Sequence, residues 1–192
     1  MVGVRGVSMR EDVPEQVSQS MEMLGRMPAV LTALCGGLSE VWAERNEGEG
    51  KWTVAEVIGH LVHTERVNWM PRIRMVLESG EERMFAPLDR AAHLGEERAT
   101  LEAEIAAFTR LREGNLEELR ALRLIGADLE RRGVHPALGQ VTVGELLATW
   151  TTHDLTHLHQ IARILAWQNR EAVGPFRKFL GVLQCDGHSR PA

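Results

Sequence analysis

Two segments of this chain open with the same four-residue signature, and each runs on into a long apolar stripe. Thr53-Val-Ala-Glu56 and Thr142-Val-Gly-Glu145 both place a threonine three residues ahead of a glutamate. That is the reciprocal arrangement in which hydroxyl and carboxylate each take a backbone N–H at the start of a helix. Behind the first box, Val54, Val57, Ile58, Leu61, Val62 and Trp69 share one face at about 100° per residue. Behind the second, Val143, Leu146, Leu147, Trp150, Ile161, Ile164 and Leu165 do the same. A further stripe of Val17, Met21, Leu24, Met27, Leu31 and Leu34 predicts a helix from about Asp12-Val13-Pro14, with Asp12 as cap and Pro14 in the first turn. Pro28 predicts a kink or break in it, and Gly36-Gly37 its end.

The remaining punctuation completes an all-α four-helix bundle. Helix two is expected to reach Ser79-Gly80 with a bend at Pro71. Helix three spans about Thr100 to Leu122, and helix four ends near Gln168. Residues 36–52 read as a loop, residues 80–98 as a long crossover between helices two and three, and Gly174-Pro175 as the start of a short extra C-terminal helix. No strand pattern competes. The expected organisation is a flexible stretch at residues 1–10, a single domain over residues 11–182 and a frayed tail over residues 183–192.

Composition bears on function mainly by exclusion. The net charge of −5 and the mixing of both signs along the chain argue against a nucleic-acid role based on phosphate neutralisation. Two distant cysteines, Cys35 and Cys185, are no disulfide framework. No apolar run approaches the roughly 20 residues of a membrane span, and the N-terminus lacks the apolar core of a signal peptide. A cytoplasmic location is expected.

The informative residues are polar ones on apolar faces. On helix four, His153, Asp154 and His157 lie within the apolar face, while His159 points outward. On helix two, Glu65 falls near the middle of the apolar face and His60 on its flank, while His63 points away. A single inward histidine is more often a hydrogen-bonded core residue than a ligand. Two at i, i+4 can reach one metal ion from one helical turn. His60 on a second helix would make three imidazoles with a coordination position left over, the donor set of a catalytic metal site. Glu65 and Asp154 have two readings, as structural hydrogen-bonders or as groups that orient a ligand histidine or relay protons. His63, His93, His135 and His159 read as surface or loop residues, with His93 in the crossover best placed to approach a site. Arg163 reads as solvated, Cys35 as a core residue, and Cys185-x-x-His188 as an accidental ligand-like spacing.

Other metal chemistries fit less well. His153-x-x-x-His157 carries Asp where a zincin has Glu, and no third ligand follows downstream. A di-iron bundle needs two Glu-x-x-His motifs, and the chain has none. Neither a glycine-rich phosphate loop nor a G-x-S-x-G elbow occurs.

WTVAEVIGHLVHTE (residues 52–65), paired with HDLTHLHQI (residues 153–161), resembles the DinB-like superfamily of metal-dependent four-helix-bundle proteins, also called DinB/YfiT-like. FAPLDRAAHLGE, GVHPALGQVTVGELLATW and VGPFRKFL extend the resemblance from about Met23 to Leu180. It implies a bundle with a long crossover and a divalent metal, commonly zinc or nickel, on His60, His153 and His157. The family's helix-two glutamate falls on Glu65. The resemblance also implies a small-molecule substrate and frequent homodimers. Characterised relatives are transferases and isomerases that use a low-molecular-weight thiol. The leading expectation is thus a thiol-dependent S-transferase whose thiol comes from outside. The alternatives are a metal-dependent hydrolase and a non-enzymatic metal- or ligand-binding bundle linked to stress.

Overall fold

The computed structural model describes residues 13–95 and 99–185. The expectations placed on Asp12, on residues 1–10 and on His188 lie outside them.

Four long helical units form the bundle: α1 (Glu15–Cys35), the pair α3 (Val54–Val67) and α4 (Trp69–Ser79), α5 (Leu101–Ala121), and α7 (Val143–Trp167). Single-turn helices α2 (Glu40–Ala43) and α6 (Gly126–Leu129) lie in the connections. Both capping boxes form. Thr53 Oγ1 accepts from Glu56 N at 3.1 Å while Glu56 Oε2 accepts from Thr53 N at 2.7 Å. Thr142 and Glu145 repeat the arrangement at the same distances. α5 starts on Thr100, whose side chain accepts from Ala103 N at 3.2 Å. Each of α1 and α3 packs against both α5 and α7, so the order around the bundle is α1, α5, α3, α7.

Several local expectations are corrected. α1 begins at Glu15 with Pro14 as its cap residue and runs through Pro28 without a break. The expected bend in helix two falls at Asn68 (φ −104°, ψ −65°), not at Pro71, and divides the unit into α3 and α4. The connection after α6 holds an antiparallel hairpin, β1 (Arg132–His135) with β2 (Gly139–Thr142), where no strand was expected. It anchors the crossover: Phe85 N donates to the Val134 carbonyl at 2.9 Å. Gly133 is required there, because a Cβ would stand 2.6 Å from Val76 Cγ2 and 3.0 Å from the Phe85 ring. The expected C-terminal helix is two 3-10 turns, Gly174–Phe179 and Gly181–Leu183, with Leu183 buried.

Among the described residues the interior holds two apolar clusters that follow one another along the bundle. One gathers Leu24, Trp69, Met70, Ile73, Leu116, Leu119, Leu147 and Trp150. The other gathers Met27, Leu31, Cys35, Val57, Ile58, Leu61, Phe108, Ile161 and Ile164. The polar residues of interest lie where the two meet. Among the described residues no helix is long and apolar enough to cross a membrane.

Candidate metal centre

α3 brings His60 to the same point that α7 reaches with His153 and His157. His60 Nε2 is 3.3 Å from His153 Nε2, and His157 Nε2 is 3.1 Å from the same atom. One ligand nitrogen from each of the three rings lies within 4.8 Å of the others. Three nitrogens on a tetrahedral divalent ion, at about 2.0–2.1 Å from it, would stand roughly 3.3–3.4 Å apart. The two short separations therefore match the edges of such a polyhedron.

The tautomers point the same way. His60 Nδ1 lies 3.1 Å from the Arg90 carbonyl, and His157 Nδ1 lies 2.8 Å from Gln160 Oε1. Both partners only accept, so both Nδ1 atoms carry hydrogen, and each ring in its neutral form turns an Nε2 lone pair inward. His153 Nδ1 is buried with no hydrogen-bond partner among the described residues, its ring edge-on to Trp69 at 5.0 Å. Burial, then the charges of His157 and His93, lower the His60 pKa to about 3, against the bond to Arg90, which raises it. Burial, then the charges of His157 and His60, lower His153 to about 2. Both rings are neutral at pH 7, the state a metal ligand requires. Lone pairs aimed at one point repel one another, and a cation at that point removes the repulsion. The donor set and its geometry fit a divalent ion.

Trp52 and His93 wall the cluster. The Trp52 ring stacks on His157 at 6.4 Å between centroids and lies 5.0 Å from His60 and 4.9 Å from His93. His93 belongs to the crossover, as expected, yet it is buried, 5.5 Å from His60. It packs over Gly59, where a Cβ would sit 3.4 Å from His93 Cδ2, in van der Waals contact. His63, His135 and His159 are partly buried and stand outside the cluster. Arg90 is exposed, and its charge is close enough to lower both His60 and His153.

Among the described residues, the hydrogen bonds of Glu65 and Asp154 run to groups other than the three clustered histidines. Both bind Arg112, which is 0% exposed. The guanidinium donates from Nε to Glu65 Oε2 (3.0 Å) and from Nη2 to Glu65 Oε1 (2.7 Å) and Asp154 Oδ1 (3.1 Å). Nη1 donates to Asp154 Oδ2 (2.6 Å) and to the Leu24 carbonyl (2.8 Å). These bonds use all five N–H groups of the side chain. Asn115 Nδ2 and Trp150 Nε1 complete the shell of Glu65 at 3.0 and 2.8 Å. Burial alone would lower the Arg112 pKa, but the bonds and charges of the two carboxylates outweigh it and raise it. Burial lifts the Asp154 carboxyl to about 6 against the pull of Arg112, with Glu65 adding to the rise.

Sequence reasoning passed over Arg112, although it stands in the α5 stripe of Leu101, Ile105, Phe108, Leu116 and Leu119 just as Glu65 stands in that of α3. Gln160 was missed in the same way, one turn beyond His157 on the buried face of α7. Arg163 corrects an expectation: it is 4% exposed and pairs with Glu47, Nη2 to Oε2 at 2.6 Å. Cys35 is fully buried, and burial pushes its thiol up to about 11, which removes it as a nucleophile.

Comparison with known proteins agrees with the architecture. YfiT from Bacillus subtilis, described as a probable metal-dependent hydrolase with an unusual four-helix bundle topology, superposes with a TM-score of 0.68 at 22% identity, over 85% of this chain and 92% of that one. No curated protein matches the sequence. The family model of the DinB superfamily matches residues 23–161, most of the bundle and all three histidines, and the chain belongs to that superfamily.

Proposed function

We propose that the protein is a metal-dependent enzyme acting on a small molecule, with one divalent ion on His60, His153 and His157. The observation that carries this reading is the convergence of three imidazole nitrogens, two of them held as inward lone pairs by Arg90 O and Gln160 Oε1. When bound, such an ion supplies Lewis acidity, lowering the pKa of a water or thiol nucleophile toward neutrality. The chain's own residues hold that site and shape its approach. Trp52 and His93 shield one side of it. Arg90 offers a positive charge to an anionic group on the incoming molecule.

The nucleophile comes from outside in this reading: Cys35 is sealed in the core, and Cys185 is exposed and not part of the three-histidine group. An S-transferase using a low-molecular-weight thiol is the finer reading, supported by the family's known chemistry and by the positive charge of Arg90. Hydrolysis is the second reading, favoured by the description of YfiT. Zinc or nickel suits the imidazole donors, and the cytoplasm suits a thiol substrate.

The test is elemental analysis of protein purified without a metal-affinity tag. One zinc, nickel or similar ion per chain is expected. His60→Ala, His153→Ala and His157→Ala should lose it, and His63→Ala and His159→Ala should keep it. Full metal content in the first three variants would refute the site. Turnover of an electrophile that depends on added thiol, set against thiol-independent ester cleavage, separates the two reactions.

A further inference from the structure

α5 is the one long helical unit of the bundle apart from α1 that brings no histidine to the cluster, yet it supplies the group that ties the cluster's two helices together. Glu65 follows His60 by five residues on α3, roughly 7 Å along the axis. Asp154 follows His153 directly on α7. Arg112 holds both carboxylates and, through the Leu24 carbonyl, α1 as well, so a single side chain bonds to α1, α3 and α7 from α5. The guanidinium is clamped in turn, 4.7 Å below the Phe108 ring and 5.2 Å from that of Trp150. Trp150 also bonds Glu65 directly, adding a second strut between α7 and α3.

We infer that Arg112 is a positioning residue for the three-histidine centre, setting the separation of α3 and α7 at which His60 Nε2 meets His153 and His157. This rests on the metal-site reading above. Metal–ligand distances tolerate only about 0.2 Å. Of the three ligands His60 alone arrives on α3, so the α3–α7 spacing decides whether the third bond closes. An apolar residue at position 112 would leave two buried carboxylates without the donors that tie them together, and whether they repel or take up a proton, nothing would hold α3 and α7 at their present separation at the level of the site. The purpose of a buried charge network between two apolar clusters is then geometric.

The experiment is a cobalt(II) titration of chelator-stripped protein, well below its unfolding temperature, followed by the visible absorption of the bound ion. Wild type should take up one ion with the intense bands of a tetrahedral site. Arg112→Met should keep its helical circular dichroism, bind about 10–100-fold more weakly and show weaker, shifted bands. Arg112→Lys, with three donors for acceptors on three helices, should fall between. Leu129→Ala, on α6 and outside the hydrogen bonds of the network, controls for lost stability and should bind as wild type does. A folded Arg112→Met with wild-type affinity and spectrum overturns the positioning role while leaving the metal site intact. If that variant does not fold, Arg112→Lys decides by the same criterion. Failure of the wild type to bind cobalt overturns the metal reading and this inference with it.

Discussion

Arg112 and Glu65, 47 residues apart in sequence, meet as a two-pronged pair with side chains 0% and 1% exposed. Glu65 also accepts from Asn115 and Trp150, whereas Asp154 bonds only through Arg112 among the side-chain contacts of the network. One guanidinium thus faces two carboxylates, and the two acids are not equivalent. Glu65→Gln would turn an amide N–H toward groups that can only donate, and should cost about 3–5 kcal/mol, the range for breaking a buried pair. Asp154→Asn removes the second negative charge and leaves a neutral Arg112–Glu65 pair. It should cost about 1–3 kcal/mol. Urea denaturation of the metal-free variants measures both, and equal losses, or a larger loss for Asp154→Asn, would contradict this reading of the network.

What could be read from the chain alone follows from the range of each signal. The capping threonines at 53 and 142 and the stripes behind them are local, so the starts of both helices were legible to within a residue. His153 and His157 were legible because i, i+4 spacing is itself a geometry. The β1–β2 hairpin was not, since four-residue strands are too short to establish a period of two against a helical background. Arg163 was misjudged because its neutralising partner, Glu47, lies 116 residues away in a loop that no local pattern places. Arg112 was legible in principle. An arginine and a glutamate on the apolar faces of two helices invite pairing, as an unpaired charge in either place would not survive burial.

Gln160 should matter to metal affinity without being a ligand. Its Oε1 lies 2.8 Å from His157 Nδ1 and fixes both the tautomer and the tilt of that ring. Gln160→Leu keeps the volume and removes the acceptor. The expected result is a metal dissociation constant raised about 10–100-fold with one ion per chain still bound at saturation. Gln160→Glu, whose carboxylate also accepts, should restore most of the affinity. An unchanged dissociation constant in Gln160→Leu would show that packing alone orients His157.

Acid should destabilise the metal-free protein through its histidines. His60 and His153 are lowered to about 3 and about 2 when folded, against about 6.5 when unfolded. Their contribution is therefore present above pH ~6.5 and is lost as pH falls through the window down to the folded values, where the unfolded chain holds the extra protons. Asp154 works in the opposite sense. Its folded pKa is raised to about 6, so the folded state holds its proton first, and stability is regained as pH falls from about 6 toward the usual carboxylate range. Two histidines against one carboxyl leave a net uptake of about one proton on unfolding between pH ~6 and ~4, a slope of roughly 1.4 kcal/mol per pH unit. Urea midpoints of stripped protein at pH 7.5, 5.5 and 4.5 should fall in that order. Asp154→Asn removes the opposing carboxyl and should steepen the fall, while His60→Gln should flatten it. Midpoints that hold steady down to pH 4.5 would mean that the histidines are already charged in the fold, and that the cluster is not the set of neutral ligands its geometry describes.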